Sequence, residues 1–143
     1  LTPLDFDRWQ RICGLGDVPA AKVLGITAER YLKWKNNALS DVHPSGLTYA
    51  FAWIILYGHA NPWPVEELPE QLRRTLTKLK IRTAALSMIL GAYSGHMFKW
   101  KRGELVAPAW VGFALAWVLL YGIANPFPDA AALGYRRCPT CGR

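Results

Sequence analysis

Acidic residues are scarce in this chain, 10 Asp and Glu against 17 Lys and Arg, and those present are scattered. No glycine-rich phosphate loop follows a strand pattern, and the three histidines stand without a nucleophile at a recognisable spacing. Catalysis is therefore not expected. The first residues carry no basic start leading into an apolar run, and Asp5 and Asp7 interrupt them, so no secretory signal is read and a cytoplasmic setting is expected. From 71 to 102 acids are missing altogether, while Arg73, Arg74, Lys78, Lys80, Arg82, Lys99, Lys101 and Arg102 fall inside that span. Such a stretch suits a polyanion; the plainer reading is a solvated helix face balanced by Glu66, Glu67 and Glu70 just upstream. From 105 to 128 charge of either sign is absent, over a length that would cross a bilayer. Yet Pro108, Gly112, Gly122, Asn125 and Pro126 break that stretch, and its counterpart in the first half, 46–60, is far shorter. A membrane-associated protein is the weaker reading.

What is present is apolar and repeated. Hydrophobic residues make up 52% of the 143, enough to exclude disorder and to build one compact domain or two small ones sharing a core. VLGITAERYLKWK at 23–35 returns as ILGAYSGHMFKWK at 89–101, and YAFAWIILYGHANPWP at 49–64 returns as FALAWVLLYGIANPFP at 113–128. The second pair is two residues closer together than the first, so the first copy holds two extra residues in the loop between them. This divides the chain into a first repeat (1–64), a second repeat (65–128) and a basic tail (129–143).

Each repeat predicts four helices and no strand. Thr2 and Pro3 make a helix start with Phe6, Trp9 and Ile12 at helical spacing before Gly14. Further helices are predicted at 19–24, 27–35 and 45–57, the last closed by Gly58. The second repeat gives helices from about 65, with Leu72, Leu76 and Leu79 as the inner stripe, then 83–90, 94–101 and 108–121. The fourth helices are apolar on several faces, as expected if each is buried both against its own unit and against the other copy. Trp53 with Trp117 and Tyr57 with Tyr121 then belong to a shared core.

Gly25 and Gly91 occupy the turn of a bihelical unit. Four residues earlier stand small Ala21 and Ser87, where two crossing helices touch. Ala20, Leu24, Ile26, Tyr31 and Trp34, and in the second copy Leu86, Leu90, Ala92, Met97 and Trp100, fall at the buried positions. This register resembles the helix-turn-helix of the lambda-repressor-like regulators of phages and plasmids, here as a tandem duplication. WKRGELVAP at 100–108 extends the likeness, with a Gly and a Pro after the second helix of the motif as is common in that family. The resemblance implies an all-α fold of two tandem four-helix helix-turn-helix units packed through their fourth helices. It also implies a sequence-specific double-stranded DNA-binding transcription regulator of a mobile element, acting at the nucleoid of a bacterial or phage-infected cell.

A groove-reading helix needs side chains that reach base edges from its first half and cations that hold phosphates at its flanks. In the first copy Thr27, Glu29, Arg30 and Lys33 take the leading positions, with Lys35 and Asn36 beyond. In the second, Tyr93, Ser94, His96 and Lys99 are followed by Lys101 and Arg102. The two helices should not read the same bases, and for Glu29 and His96 plain solvent exposure is the alternative. Tyr93 stands where a capping Ser or Thr is usual, so Ser94 is expected to cap one residue later, and Gly95 weakens the helix by roughly 1 kcal/mol. With two recognition helices in one chain, the expected placement is one DNA turn apart, as in a dimeric repressor.

In the tail, Cys138 and Cys141 within CPTCG have the form of half a zinc site. The further ligands would come from Cys13, His43, His59 or His96, or from the same tail of a second chain in a homodimer; a frayed basic tail with two thiols is the alternative. Repression by occluding a promoter is the simplest mechanism for so small a chain. The rival reading is a protein-interaction module or adaptor that keeps the helix-turn-helix scaffold and binds a polymerase subunit or another regulator.

Overall fold

A computed structural model describes residues 3–36, 43–124 and 126. Thr2, Asn37, the basic tail and its Cys138 and Cys141 lie outside the described residues. Among the described residues the chain is helical throughout: α1 (Pro3–Cys13), α2 (Asp17–Leu24), α3 (Ala28–Asn36), α4 (Leu47–Tyr57), a 3₁₀ turn (Val65–Glu67), α5 (Leu68–Leu79), α6 (Thr83–Leu90), α7 (Ser94–Arg102) and α8 (Ala109–Tyr121). None of these is long and apolar enough to cross a membrane.

The helix bounds follow local chemistry. Gly25 and Gly91 end α2 and α6 in the left-handed region, at φ 76° and 67°, where a side chain would be strained. Both turns also lie under another element. A Cβ on Gly25 would run into the backbone of Ala109 at the start of α8, and one on Gly91 into Ser45 just before α4. Each turn is thus braced by the start of the other copy's last helix. On the second side the brace is hydrogen-bonded: Gly46 N–H donates to Leu90 O at 2.9 Å and Ser45 Oγ to Ile89 O at 2.9 Å.

α4 and α8 form the most extensive helix contact, and each also packs on the first helix of its own copy, α4 on α1 and α8 on α5. Their burial explains why their sequences show no polar face: Ala50, Phe51, Ile54 and Phe113, Ala114, Leu115, Val118 are all within the core. Phe6, Trp9 and Phe51 join this core from α1 and α4, with the Trp9 and Phe51 rings stacked at 4.5 Å. At the far ends of α4 and α8, Trp53 against Tyr57 and Trp117 against Tyr121 repeat one geometry, both at 4.2 Å. Tyr57 and Tyr121 hydrogen-bond to each other through their hydroxyls. These two tyrosines are about half exposed, so they close the surface end of the core rather than lying inside it as the sequence suggested.

Candidate nucleic-acid interface

The positions predicted to be buried around each turn are buried. Ala20, Ala21, Leu24, Tyr31 and Trp34 are in the core, as are Leu86, Ser87, Leu90, Met97 and Trp100; Ile26 and Ala92 are half-buried against it. With Tyr31 and Trp34 inward, α3 turns Glu29, Arg30 and Lys33 to its exposed side, and α7 does the same with His96 and Lys99. Thr27, Glu29, Arg30, Lys33 and Trp34 border one shallow depression along α3.

The two helices begin differently. In α3 the Arg30 N–H donates to Thr27 Oγ1 at 3.1 Å, a side-chain cap of the expected kind. In α7 the capping position is Tyr93, whose side chain makes no cap hydrogen bond; Ser94 is already the first helical residue. The expectation for Ser94 is therefore corrected.

Two predicted phosphate contacts point inward instead. Lys35 Nζ binds Asp17 at 2.9 Å and Asp7 at 3.0 Å, and Lys101 Nζ donates to Thr83 Oγ1 at 3.0 Å while lying over the Phe98 ring. Lys35 and Lys101 hold the same place in the two repeats, one residue after the buried Trp, where the next side chain swings back toward the preceding helix. Each ties the last turn of the outward helix to the first residue of the helix before it. Burial alone would depress the Lys35 ammonium, but its bonds to Asp17 and Asp7 outweigh that and hold it above the usual lysine range. The Asp17 carboxyl is held below the usual range by Lys35 and then by Gln10. In the first copy the chain of contacts continues inward, with Gln10 Nε2 donating to Asp17 at 2.9 Å and Tyr31 Oη to Gln10 Oε1 at 2.6 Å.

The second copy makes the equivalent tie without acids. Arg73 stands where the first copy has Asp7, and it donates to Lys101 O at 2.7 Å, closing the C-terminal end of α7. Thr83 stands where the first copy has Asp17. Two acids and one cation in the first copy thus become two cations and no acid in the second. The backbone carries one more mark of this difference: Lys80 ends α5 at φ 56°, the only non-glycine at positive φ among the described residues, where the first copy has Gly14 at φ 69°. Arg102, at the end of α7, pairs with exposed Glu104 at 2.9 Å.

α3 and α7 border a common cleft of about 430 Å³, with Arg30 and Trp34 on one wall and Tyr93, His96 and Trp100 on the other. Helices that share so small a cleft lie well inside the roughly 34 Å that separates recognition helices in successive major grooves. The expected spacing of one DNA turn is therefore corrected: side chains of α3 and α7 line one cleft, in a molecule whose most extensive helix contact is α4 on α8. Nothing in the repeat itself signalled this.

Of the four internal zinc candidates, His43 and His96 line that cleft, His59 is exposed and Cys13 is half-buried, with burial pushing its thiol pKa up. No three His, Cys, Asp or Glu side chains gather into a metal site among the described residues. Comparison with protein-family models, curated proteins and solved structures finds no match to the chain.

Proposed function

We propose that this chain is a double-stranded DNA-binding transcription regulator, a repressor by occlusion, built as two tandem four-helix helix-turn-helix units packed through α4 and α8. The observation that carries the reading is that α3 and α7 border one cleft and expose Arg30, Lys33, His96 and Lys99, while their Tyr31/Trp34 and Met97/Trp100 faces are buried. Two outward helices on one side, each following a glycine turn and a small crossing residue, are what a groove-binding surface requires. The second copy supplies phosphate attraction, with Arg73, Arg74, Lys80, Arg82 and Lys99 in a span of sequence that has no acid. The first copy, balanced by Asp7 and Asp17 and capped by Thr27, supplies base reading through Arg30 and Glu29.

Because the two helices lie close together, one chain covers one contiguous stretch of roughly 10 base pairs, not two half-sites a turn apart. Selection from a pool of random duplexes, followed by footprinting, tests this. One short asymmetric site should emerge. Arg30→Ala should cost roughly 1–3 kcal/mol on that site and relax its sequence, whereas Lys33→Ala should weaken all duplexes alike. No enrichment in the selection would remove the DNA reading. The rival, a protein-interaction module, draws support from the exposure of Met88, Tyr93 and Val106; it predicts no enriched duplex.

A further inference from the structure

The cleft between α3 and α7 has the composition of a ligand site. Its volume, about 430 Å³, lies within the range of small-molecule pockets. Its walls are aromatic: Tyr93 meets His96 edge-on at 5.2 Å, His96 stacks on Trp100 at 6.1 Å with the planes 28° apart, and Trp34 and Trp110 line the same space from α3 and α8. Among the described residues no Asp or Glu lines it, and the one formal charge among those lining residues is the Arg30 guanidinium. Trp100, which lines the cleft, carries an indole N–H that is buried without a hydrogen-bond acceptor among the described residues, an arrangement that costs free energy.

The geometry points to a binding site for a planar aromatic anion, stacked against the indole and imidazole faces with its carboxylate on Arg30. A fork-shaped guanidinium matches a carboxylate in two hydrogen bonds, and aromatic faces favour a flat apolar body. A cationic ligand has no acid to meet among the described residues, and a neutral one leaves the guanidinium without a counterion. A ligand seated there occupies the side chain assigned above to base reading, so it opposes duplex binding. That coupling rests on the DNA reading; the binding itself does not.

Calorimetric titration of the free protein with 2-naphthoate, and with 2-naphthamide as the uncharged counterpart of the same shape, tests the site without DNA. The naphthoate should bind at least tenfold more tightly, and Arg30→Gln, at an exposed position that leaves the fold intact, should erase that preference while the naphthamide affinity stays the same. Tyr93→Ala, also exposed, should weaken both ligands alike. Failure of naphthoate to bind, equal binding of the two, or a preference that survives Arg30→Gln would overturn the proposal. In the second arm, naphthoate is titrated into the wild-type protein with its selected duplex; release of DNA by naphthoate but not by the same concentration of naphthamide is expected. If naphthoate binds as described but no duplex is ever bound, the DNA reading fails and the site stands.

Discussion

At the residue scale, the two copies solve one problem with different charges. Lys35 and Lys101 each anchor an outward helix, but Lys35 does so on two carboxylates and Lys101 on a hydroxyl. The Asp17 carboxyl has a folded pKa below its ordinary 3.8, so its stabilising contribution is complete above that value and is lost as pH falls through the lower folded one. Lys35, raised above its ordinary 10.5, contributes fully below that value and loses its share as pH rises through the folded one. Asp17→Asn should therefore lower stability near neutral pH by about 1 kcal/mol or less, as partly exposed pairs do. Its difference from wild type should vanish in strong acid. Urea unfolding across pH checks it, and a difference that persists in strong acid would assign the effect to the Gln10 contact instead. Lys80 makes the opposite case. A lysine held at positive φ gives up roughly 1–2 kcal/mol that a glycine would not, and the first copy does use glycine there. Lys80→Gly should raise stability by about 1 kcal/mol and weaken duplex binding, most at low salt. Unchanged binding would mean that the charge at 80 serves no polyanion.

At the scale of elements, α3 and α7 look alike in sequence and differ in how they are held. α3 has a capping threonine; α7 follows Tyr93, which makes no side-chain cap, and carries Gly95, where a Cβ would meet the Tyr93 ring. Tyr93→Ser with Gly95→Ala supplies the cap, removes the ring that the new methyl would strike and restores helix propensity. Together they should add about 1–2 kcal/mol of stability. Thermal unfolding measures this. If Tyr93 serves as a wall of the cleft, the same double variant should lose aromatic ligand affinity, so the element is less stable than its sequence could make it where it faces a ligand. An unchanged or lowered melting temperature would show that the Tyr93–His96 contact outweighs the missing cap.

At the scale of the whole molecule, the sequence carried the helices and the inner faces but not their arrangement. The glycine turns, the small residues Ala21 and Ser87 and the buried Trp34 and Trp100 were legible because each depends on contacts within a few residues of itself. The inward course of Lys35 and Lys101 was not, because it is decided by Asp17 and Thr83 on another helix; the conserved eighteen-residue interval between the partners in both copies was the available signal. The cleft was not legible either. It exists because the start of α8 braces the Gly25 turn and the residues before α4 brace the Gly91 turn, and no spacing within one repeat encodes that. The same cleft brings Arg30 of α3 and His96 of α7 to one space.

The most direct measurement is the affinity of the unmodified chain for a duplex of about 20 base pairs as salt is raised from about 50 to about 200 mM. Cations that replace condensed counterions give an affinity that falls linearly on a logarithmic plot, with a slope near −0.9 for each phosphate held. A slope of about −4 or steeper, made shallower by roughly one for each of Lys80→Gly and Lys99→Ala, is the result this account predicts. An affinity that stays level across that range, or a slope that neither variant alters, would contradict it.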